Sequence, residues 1–370
     1  MSWSALHRRL SDNRTDRPDG ADGGDSPAWS NHREQYSNPP ALIRRQSTTP
    51  YAELHCHSNF SFLDGASPPE ELAEEATRLG LEALAITDHD GFYGVVRFAE
   101  AARALGLPTV FGAELSLRPP GVAKLEPRAG SSKVAAADPH ADHLLVVARN
   151  PTGYASLSRA MGEAHLAGGE KGYPAYEKAR LCELHKGNWV VLSGCRKSRV
   201  PAALLNDGPA AAARELSDLV ACFGRDNVVV ELWDHGDPLD SVRNDAMVQL
   251  ASKQGLQIIA TNNVHYASPA RHRLATALAA VRARRSLDEI EPWLPSASGA
   301  CLRSGDEQAR RFARYPGVVE TAAALAKDCA FDLALVAPNL PPFPVPPGQT
   351  EMTYLRALTE RGAEQRYGKR

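Results

Sequence analysis

The chain has 370 residues, enough for two or three domains or for one large barrel with additions. Apolar residues make up 43% and charged residues 23%, which excludes a wholly disordered or collagen-like chain. With 42 Lys and Arg against 44 Asp and Glu, the formal charge of −2 gives no global nucleic-acid signature and leaves room only for local basic patches.

Residues 1–50 are rich in Arg, Asp, Ser, Gly, Pro and Asn without apolar periodicity, and are expected to be a disordered tail. They contain no apolar h-region, so no secretory signal is expected. From Tyr51 the pattern changes. YAELHCH (51–57) reads as a strand. SPPEELAEEATRLG (67–80) reads as a helix with Ser67 as N-cap, Glu70 three residues on and Gly80 at its close. LEALAITDHD (81–90) is a second strand, VVRFAEAARALG (95–106) a second helix and PTVFGAELSL (108–117) a third strand. Residues 118–142 read as a long exposed insertion. HLLVVARN (143–150), NWVVLSG (188–194), NVVVELWD (227–234) and LQIIATNN (256–263) continue the strands. PTGYASLSRAMGEAHL (151–166), AAARELSDLVACFG (211–224) and VRNDAMVQLASKQG (242–255) read as helices between them.

About seven βα units fall between residues 51 and 270, and no GxGxxG opens a helix. The fold class is therefore α/β, a distorted (β/α) barrel in preference to an open doubly wound sheet. A mostly helical segment follows. RHRLATALAAVRARRSLDEI (271–290) is basic and helical, with an exposed face or a DNA-facing one equally open. Residues 292–299 read as loop, 306–331 as helix and 337–350 as a proline-rich linker. Residues 351–370 start one more helix with no closing element, as in a truncated larger protein. No apolar run reaches about 18 residues, so no transmembrane helix is expected. The six cysteines, scattered without a CxxC pair, read as reduced thiols of a cytoplasmic protein.

The chemistry gathers at strand ends. On a strand, His55 and His57 point to one face and Cys56 to the other, so both imidazoles can reach one metal ion. Asp64 follows in the next loop; Asp88 and His89 close a strand, as does Glu114; Cys195 follows WVVLSG; Asn263 and His265 follow LQIIATNN. In a parallel βα barrel all these ends share one rim. His143 fits that rim least easily, because it begins its strand. Imidazole, carboxylate and thiolate together suit zinc, manganese or iron. Two or three such ions about 3.5–4 Å apart would clamp a phosphate and activate water. Asp88 is a candidate to orient a ligand histidine through its far nitrogen. Asp234-His235-Gly236 reads as a structural turn, and His7, His32, His140, His165, His185 and His272 as solvated. Neither a GxSxG elbow nor a GxxxxGK[ST] loop occurs.

HCHSNFSFLDGA, ITDHDGFYG, FGAEL, HLLVVARN, SGC and ATNNVHY resemble, in order, the motifs of the polymerase and histidinol phosphatase (PHP) domain. They are most similar to the PHP domain that begins bacterial C-family DNA polymerases of the polymerase III alpha-subunit type, and the flanking residues from 282 onward resemble the error-prone, translesion branch. The resemblance covers residues 51–370 and implies a distorted (β/α)7 PHP barrel over 51–270 and the start of a polymerase palm region over 271–370. It implies metal ligands at His55, His57, Asp64, His89, Glu114, His143, Cys195 and His265, with Asn263 at a ninth position usually held by aspartate. Asp64, His89 and His265 are the implied catalytic members of that set. A neutral amide at Asn263 puts one metal, and any 3′–5′ exonuclease activity, in question. The resemblance further implies DNA and replication or damage-tolerance accessory proteins as partners, no membrane, and magnesium for nucleotidyl transfer on palm aspartates. No PDxD pair that would serve as those aspartates occurs here. Two alternatives stay open: a free-standing phosphoesterase of the histidinol-phosphatase kind, and a metal-stabilised scaffold without turnover.

Overall fold

A computed structural model describes residues 36–37, 39, 42–117, 142–169, 172–290, 299–333 and 343–368. The expected tail up to residue 35, the insertion over 118–141 and the loop over 291–298 lie outside the described residues. Tyr36–Val336 forms one compact unit.

Its frame is a seven-stranded sheet in sequential order: β1 (Ala52–Glu53), β2 (Ala83–Ile86), β3 (Thr109–Leu117), β4 (Asp142–Ala148), β5 (Trp189–Leu192), β6 (Val228–Leu232) and β7 (Gln257–Ala260). The runs ALAI, WVVL and VVVEL are buried at every position, as expected of strands covered on both faces. The covering helices are α1 (Pro69–Leu79), α2 (Val95–Leu105), α3 (Pro151–Gly168), α4 (Lys178–Leu184), α5 (Arg199–Asp207), α6 (Pro209–Phe223) and α7 (Asp240–Gln254). Gly80 and Gly106 end α1 and α2 in the left-handed conformation (φ 75° and 66°), as their sequence positions suggest. β1 and β7 carry no continuous ladder between them. A single parallel bridge, Cys56 to Val264, joins their extensions: Val264 N donates to His55 O (2.8 Å) and His57 N donates to Val264 O (2.7 Å). The sheet is thus a curled, distorted barrel of the expected kind.

Five sequence expectations are corrected. First, the sheet is mixed: β4 runs antiparallel to both β3 and β5. Second, residues 42–50 are anchored although the sequence marks them as tail. Arg45 N donates to Arg78 O (2.8 Å), and Asp306 accepts from Thr48 N and Oγ1 and from Thr49 N. Third, the N-cap of α1 is Pro68; Ser67 Oγ instead accepts from Ala267 N (3.0 Å), tying the helix entry to the chain after β7. Fourth, 306–331 is two helices, α9 (Gly305–Arg311) and α10 (Val318–Cys329), because Pro316-Gly317 breaks the run and Gly317 sits at φ 89°. α10 packs against β7, β1 and β2, where the barrel seam lies. Fifth, Cys182 of α4 and Cys222 of α6 form a disulfide, while Cys56, Cys195, Cys301 and Cys329 are free and buried. The pairing joins neighbouring helices 40 residues apart in sequence, a contact that spacing alone does not reveal.

α8 (His272–Ala283) follows β7, and Arg284 in the left-handed region ends it. Residues 343–368 belong to a second unit, whose described part is α11 (Glu351–Tyr367), opened by Thr350 accepting from Thr353 N. Among the described residues, no helix is long and apolar enough to cross a membrane.

Candidate metal centre

The site is built on Glu114 near the centre of β3. Asp90 N donates to Glu114 O (3.1 Å) and Glu114 N to Asp88 O (3.3 Å), locking the end of the second motif beside the third. The Glu114 carboxylate faces four imidazoles. Oε1 lies 3.6 Å from His55 Nε2, while Oε2 lies 3.3 Å from His57 Nε2, 3.6 Å from His89 Nδ1 and 3.1 Å from His143 Nδ1. Cys195 Sγ is 3.5 Å from Oε1 and 3.9 Å from His143 Nδ1.

His143 arrives there because of the reversed strand. β4 is antiparallel, so its first residues lie at the rim where the parallel strands end. The awkward position of His143 in the sequence is thereby explained.

His55 Nε2 and His57 Nε2 stand 3.1 Å apart, as the alternation of a strand predicts, although regular β1 pairing ends at Glu53. Behind His55, Glu231 Oε1 receives Nδ1 at 2.7 Å, and Thr261 Oγ1 donates to the same oxygen. Nδ1–H is thereby directed away from the centre, and Nε2 faces Glu114 and His57. Glu53, also fully buried, accepts from His55 N (2.9 Å), Tyr51 Oη (2.7 Å) and Asn262 N (2.9 Å), holding the barrel seam. Burial pushes the Glu53 carboxyl up to about 7. The sequence reading misses Glu231 and Glu53; the available signal is an acidic residue inside an otherwise apolar strand run.

Asp88 does not touch a ring nitrogen. It accepts from Ser58 N, Ser58 Oγ and Ser61 Oγ, each at 2.7 Å, and Ser61 Oγ lies 3.3 Å from His57 Nδ1. Its influence on His57 therefore passes through Ser61. Gly65 lets this loop close: a Cβ there would fall 1.9 Å from Ser58 O.

A second group stands beside the first. Asp64 Oδ2 is 3.1 Å from His89 Nε2 and 3.3 Å from His265 Nδ1, and Asp64 Oδ1 accepts from Arg282 of α8. The His57 and His89 rings stack at 4.7 Å, and His57 and His265 lie 4.9 Å apart. Asn263 sits at φ 42° with its Oδ1 buried and unpartnered. A cavity of about 250 Å³ opens over the site, lined by Asp64, Glu114, His143, Cys195, Asn263 and His265 and rimmed by Arg196, Lys197, His272 and Arg282. All nine sequence-selected positions thus meet in one region. His272, marked as solvated in the sequence, lines the cavity instead, and His165 gives Nε2 to Asp90 O (2.8 Å). His235 holds Asn262 O at 2.6 Å, in keeping with a structural turn.

Burial and the crowded charges shift the groups of the site in different directions. Burial alone would raise the Glu114 carboxyl, yet His143, His55 and His57 hold it well below the usual range. Burial pushes His57 down to about 3, which keeps its lone pair free. His55 moves the other way: burial opposes its charge, but Glu231 and Glu114 outweigh it and raise its pKa well above the ordinary value. Two donor sets, His55/His57/Glu114 and His89/Glu114/His143, have all their ligand atoms within 4.8 Å of one another. Ligands held tetrahedrally at about 2.0–2.2 Å from zinc stand roughly 3.3–3.6 Å apart, which is the spacing found around Glu114.

Residues 53–235 match the PHP domain. An error-prone DNA polymerase of Nocardia farcinica is 50% identical over 406 residues, covering 99% of this chain and 35% of that protein. An error-prone DNA polymerase of Mycobacterium tuberculosis is 52% identical over 371 residues, covering 99% of this chain and 32% of its own length. The chain therefore spans about a third of the curated relatives it matches. A solved structure from Bifidobacterium adolescentis, provisionally described as a metal-dependent phosphoesterase, is 20% identical and covers 58% of this chain and 88% of its own at a TM-score of 0.40.

Proposed function

Because residues 53–235 belong to the PHP domain family, we propose that this chain is the metal-binding PHP portion of an error-prone DNA polymerase, and that its barrel mouth acts on phosphodiesters. The supporting observation is the single Glu114 carboxylate shared by two imidazole pairs, His55 with His57 and His89 with His143. Zinc, manganese or iron suits that donor chemistry. Such ions, when bound, supply Lewis acidity to a phosphoryl group and charge to hold an attacking water.

His55, His57, Asp64, His89, Glu114, His143, Cys195 and His265 are the proposed ligands, with Asn263 at the ninth position. The residues of the chain divide the work. Glu231 fixes the His55 ring from behind and Ser61 fixes His57. Asp64, His89 and His265 form the hydrogen-bonded group beside Glu114, where a scissile phosphate and a moving proton would be met. Arg196 and Lys197 on the cavity rim give a phosphate-bearing strand its counter-charge. A 3′–5′ exonuclease is the activity that this arrangement supports best. DNA is the substrate, polymerisation with magnesium belongs to the longer protein, and accessory proteins of replication and damage tolerance would act there, in the cytoplasm.

A second reading is favoured by a specific observation: the Asp64–Arg282 pair and the neutral Asn263 lower the anionic charge of the mouth, as in a metal-stabilised scaffold without turnover. Elemental analysis of the purified chain, paired with an exonuclease assay in manganese and a His55→Ala control, decides between them. Bound metal with manganese-dependent nucleotide release that the control loses supports the enzyme. Bound metal without release supports the scaffold, and absence of bound metal overturns both.

A further inference from the structure

We propose that Arg282 is a built-in cation of the barrel mouth: its guanidinium takes the charge position that a divalent ion would occupy at Asp64, His89 and His265, and so confines metal binding to the two donor sets on Glu114. The inference rests on the metal reading above and narrows it, withdrawing Asp64 and His265 from the ligand set while Arg282 is in place; it also assigns a role to α8, an element that follows the sheet and supplies none of the proposed ligands.

Asp64 is placed as a ligand would be. Its Oδ2 lies between two ring nitrogens, His89 Nε2 at 3.1 Å and His265 Nδ1 at 3.3 Å, the same spacings that surround Glu114. The two carboxylates differ in what else they meet. Glu114 meets only imidazoles and a thiol among its described partners, whereas Asp64 Oδ1 receives Arg282. The Arg282 side chain is 14% exposed, and its Nε is buried without a hydrogen-bond partner. Among the described residues the Asp64 carboxylate is its hydrogen-bond partner, and a donor is left over inside the cavity wall.

Charge counting points the same way. Arginine keeps its charge at any ordinary pH, so it cannot make room for a metal ion by losing a proton. A divalent ion about 4 Å from it would be repelled twice as strongly as a monovalent one. Asn263, with its buried Oδ1 unpartnered, adds no anion to offset that repulsion. On the other side, Glu114 stands among imidazoles, and Glu231 backs one of them, His55. The donor sets close enough to hold an ion include Glu114 both times and Asp64 neither time.

The test measures metal stoichiometry and does not depend on activity. The full chain is stripped with chelator, equilibrated with excess manganese(II), separated from free ion, and its metal-to-protein ratio is measured by elemental analysis. Arg282→Met keeps length and apolar stem; Arg282→Lys keeps charge. Wild type and Arg282→Lys are expected to reach two ions per chain, one for each Glu114 donor set. Arg282→Met is expected to gain about one more. Three ions in the wild type overturn the proposal whether or not the variants fold. Equal ratios of two in wild type and a folded Arg282→Met overturn it and leave the metal reading standing. No bound ion in any of the proteins overturns the metal reading and this inference together.

Discussion

Glu114 Oε2 and His143 Nδ1 lie 3.1 Å apart although their strands run in opposite directions. Register explains the contact: Glu114 pairs with Leu145 across the ladder, and His143 pairs with Ser116, so the two side chains start two residues apart on one rim. One reversed strand therefore completes a centre that six parallel strand ends could not, and Glu114 becomes the residue common to both donor sets.

Glu114→Gln is expected to abolish metal binding at both sets at once. The neutral amide removes the charge around which four imidazoles gather. A ligand present at 100 times its Kd stabilises a native protein by about 2.7 kcal/mol. The rise in Tm on adding manganese, readable by differential scanning fluorimetry, should therefore be present in the wild type and absent in Glu114→Gln.

Glu231→Gln should weaken metal binding without emptying the site. Glu231 touches no substrate-facing group; it receives His55 Nδ1 and fixes which nitrogen faces the centre. Loss of such a supporting carboxylate typically costs about 10–100-fold in metal affinity. Competition titration against a chromogenic chelator would read the shift. An affinity equal to that of wild type would remove Glu231 from this role.

Gly65→Ala should destabilise the chain by about 1–3 kcal/mol, the cost of forcing an atom into a packed site. The new Cβ would meet the backbone oxygen of Ser58 at 1.9 Å, and the loop from Asn59 to Asp64 would have to open. Urea denaturation with an unchanged m-value is the measurement. Asp64 should move with the loop, so any exonuclease activity should fall further than stability does.

The link between residues 47–49 and α9 should be sensitive to acid. Hydrogen bonds from Thr48 and Thr49 push the Asp306 carboxyl down to about 2. A carboxyl whose folded pKa lies below its unfolded value adds stability above the unfolded value and loses it as pH falls through the folded one. The stability difference between wild type and Asp306→Asn should thus be constant above about pH 4 and shrink toward pH 2. A difference that is flat through this window would exclude the link.

Thiol counting checks the disulfide. Titration of denatured chain without reductant should find four thiols and, after reduction, all six.

Much of this was open to reading along the chain. Strand alternation places His55 beside His57, and polar residues after apolar runs mark Asp64, His89, Cys195 and His265 as rim groups, which meet in the folded chain; Glu114 meets them too, although β3 continues past it to Leu117 instead of ending there. The helix-closing glycines 80 and 106 take the left-handed turns that their positions suggest. Ser67 shows the limit of such local signals. A serine before PPEE fits an N-cap, yet its hydroxyl is taken by Ala267 N, 200 residues away, and no window of sequence contains that competitor.

The amino-acid order by itself marked most of the segments that become strands and helices and the side chains that could ligate a metal, because periodicity and residue chemistry are properties of neighbours along the chain. Tertiary structure alone decided the direction of β4, the placing of Glu231 behind His55, the indirect reach of Asp88 through Ser61, and the arrival of Arg282 at Asp64. Those relationships join residues 25 to 218 positions apart. They are fixed by how the sheet curls and which buried charges must find partners, and a buried charge is answered by whatever group the fold brings near it.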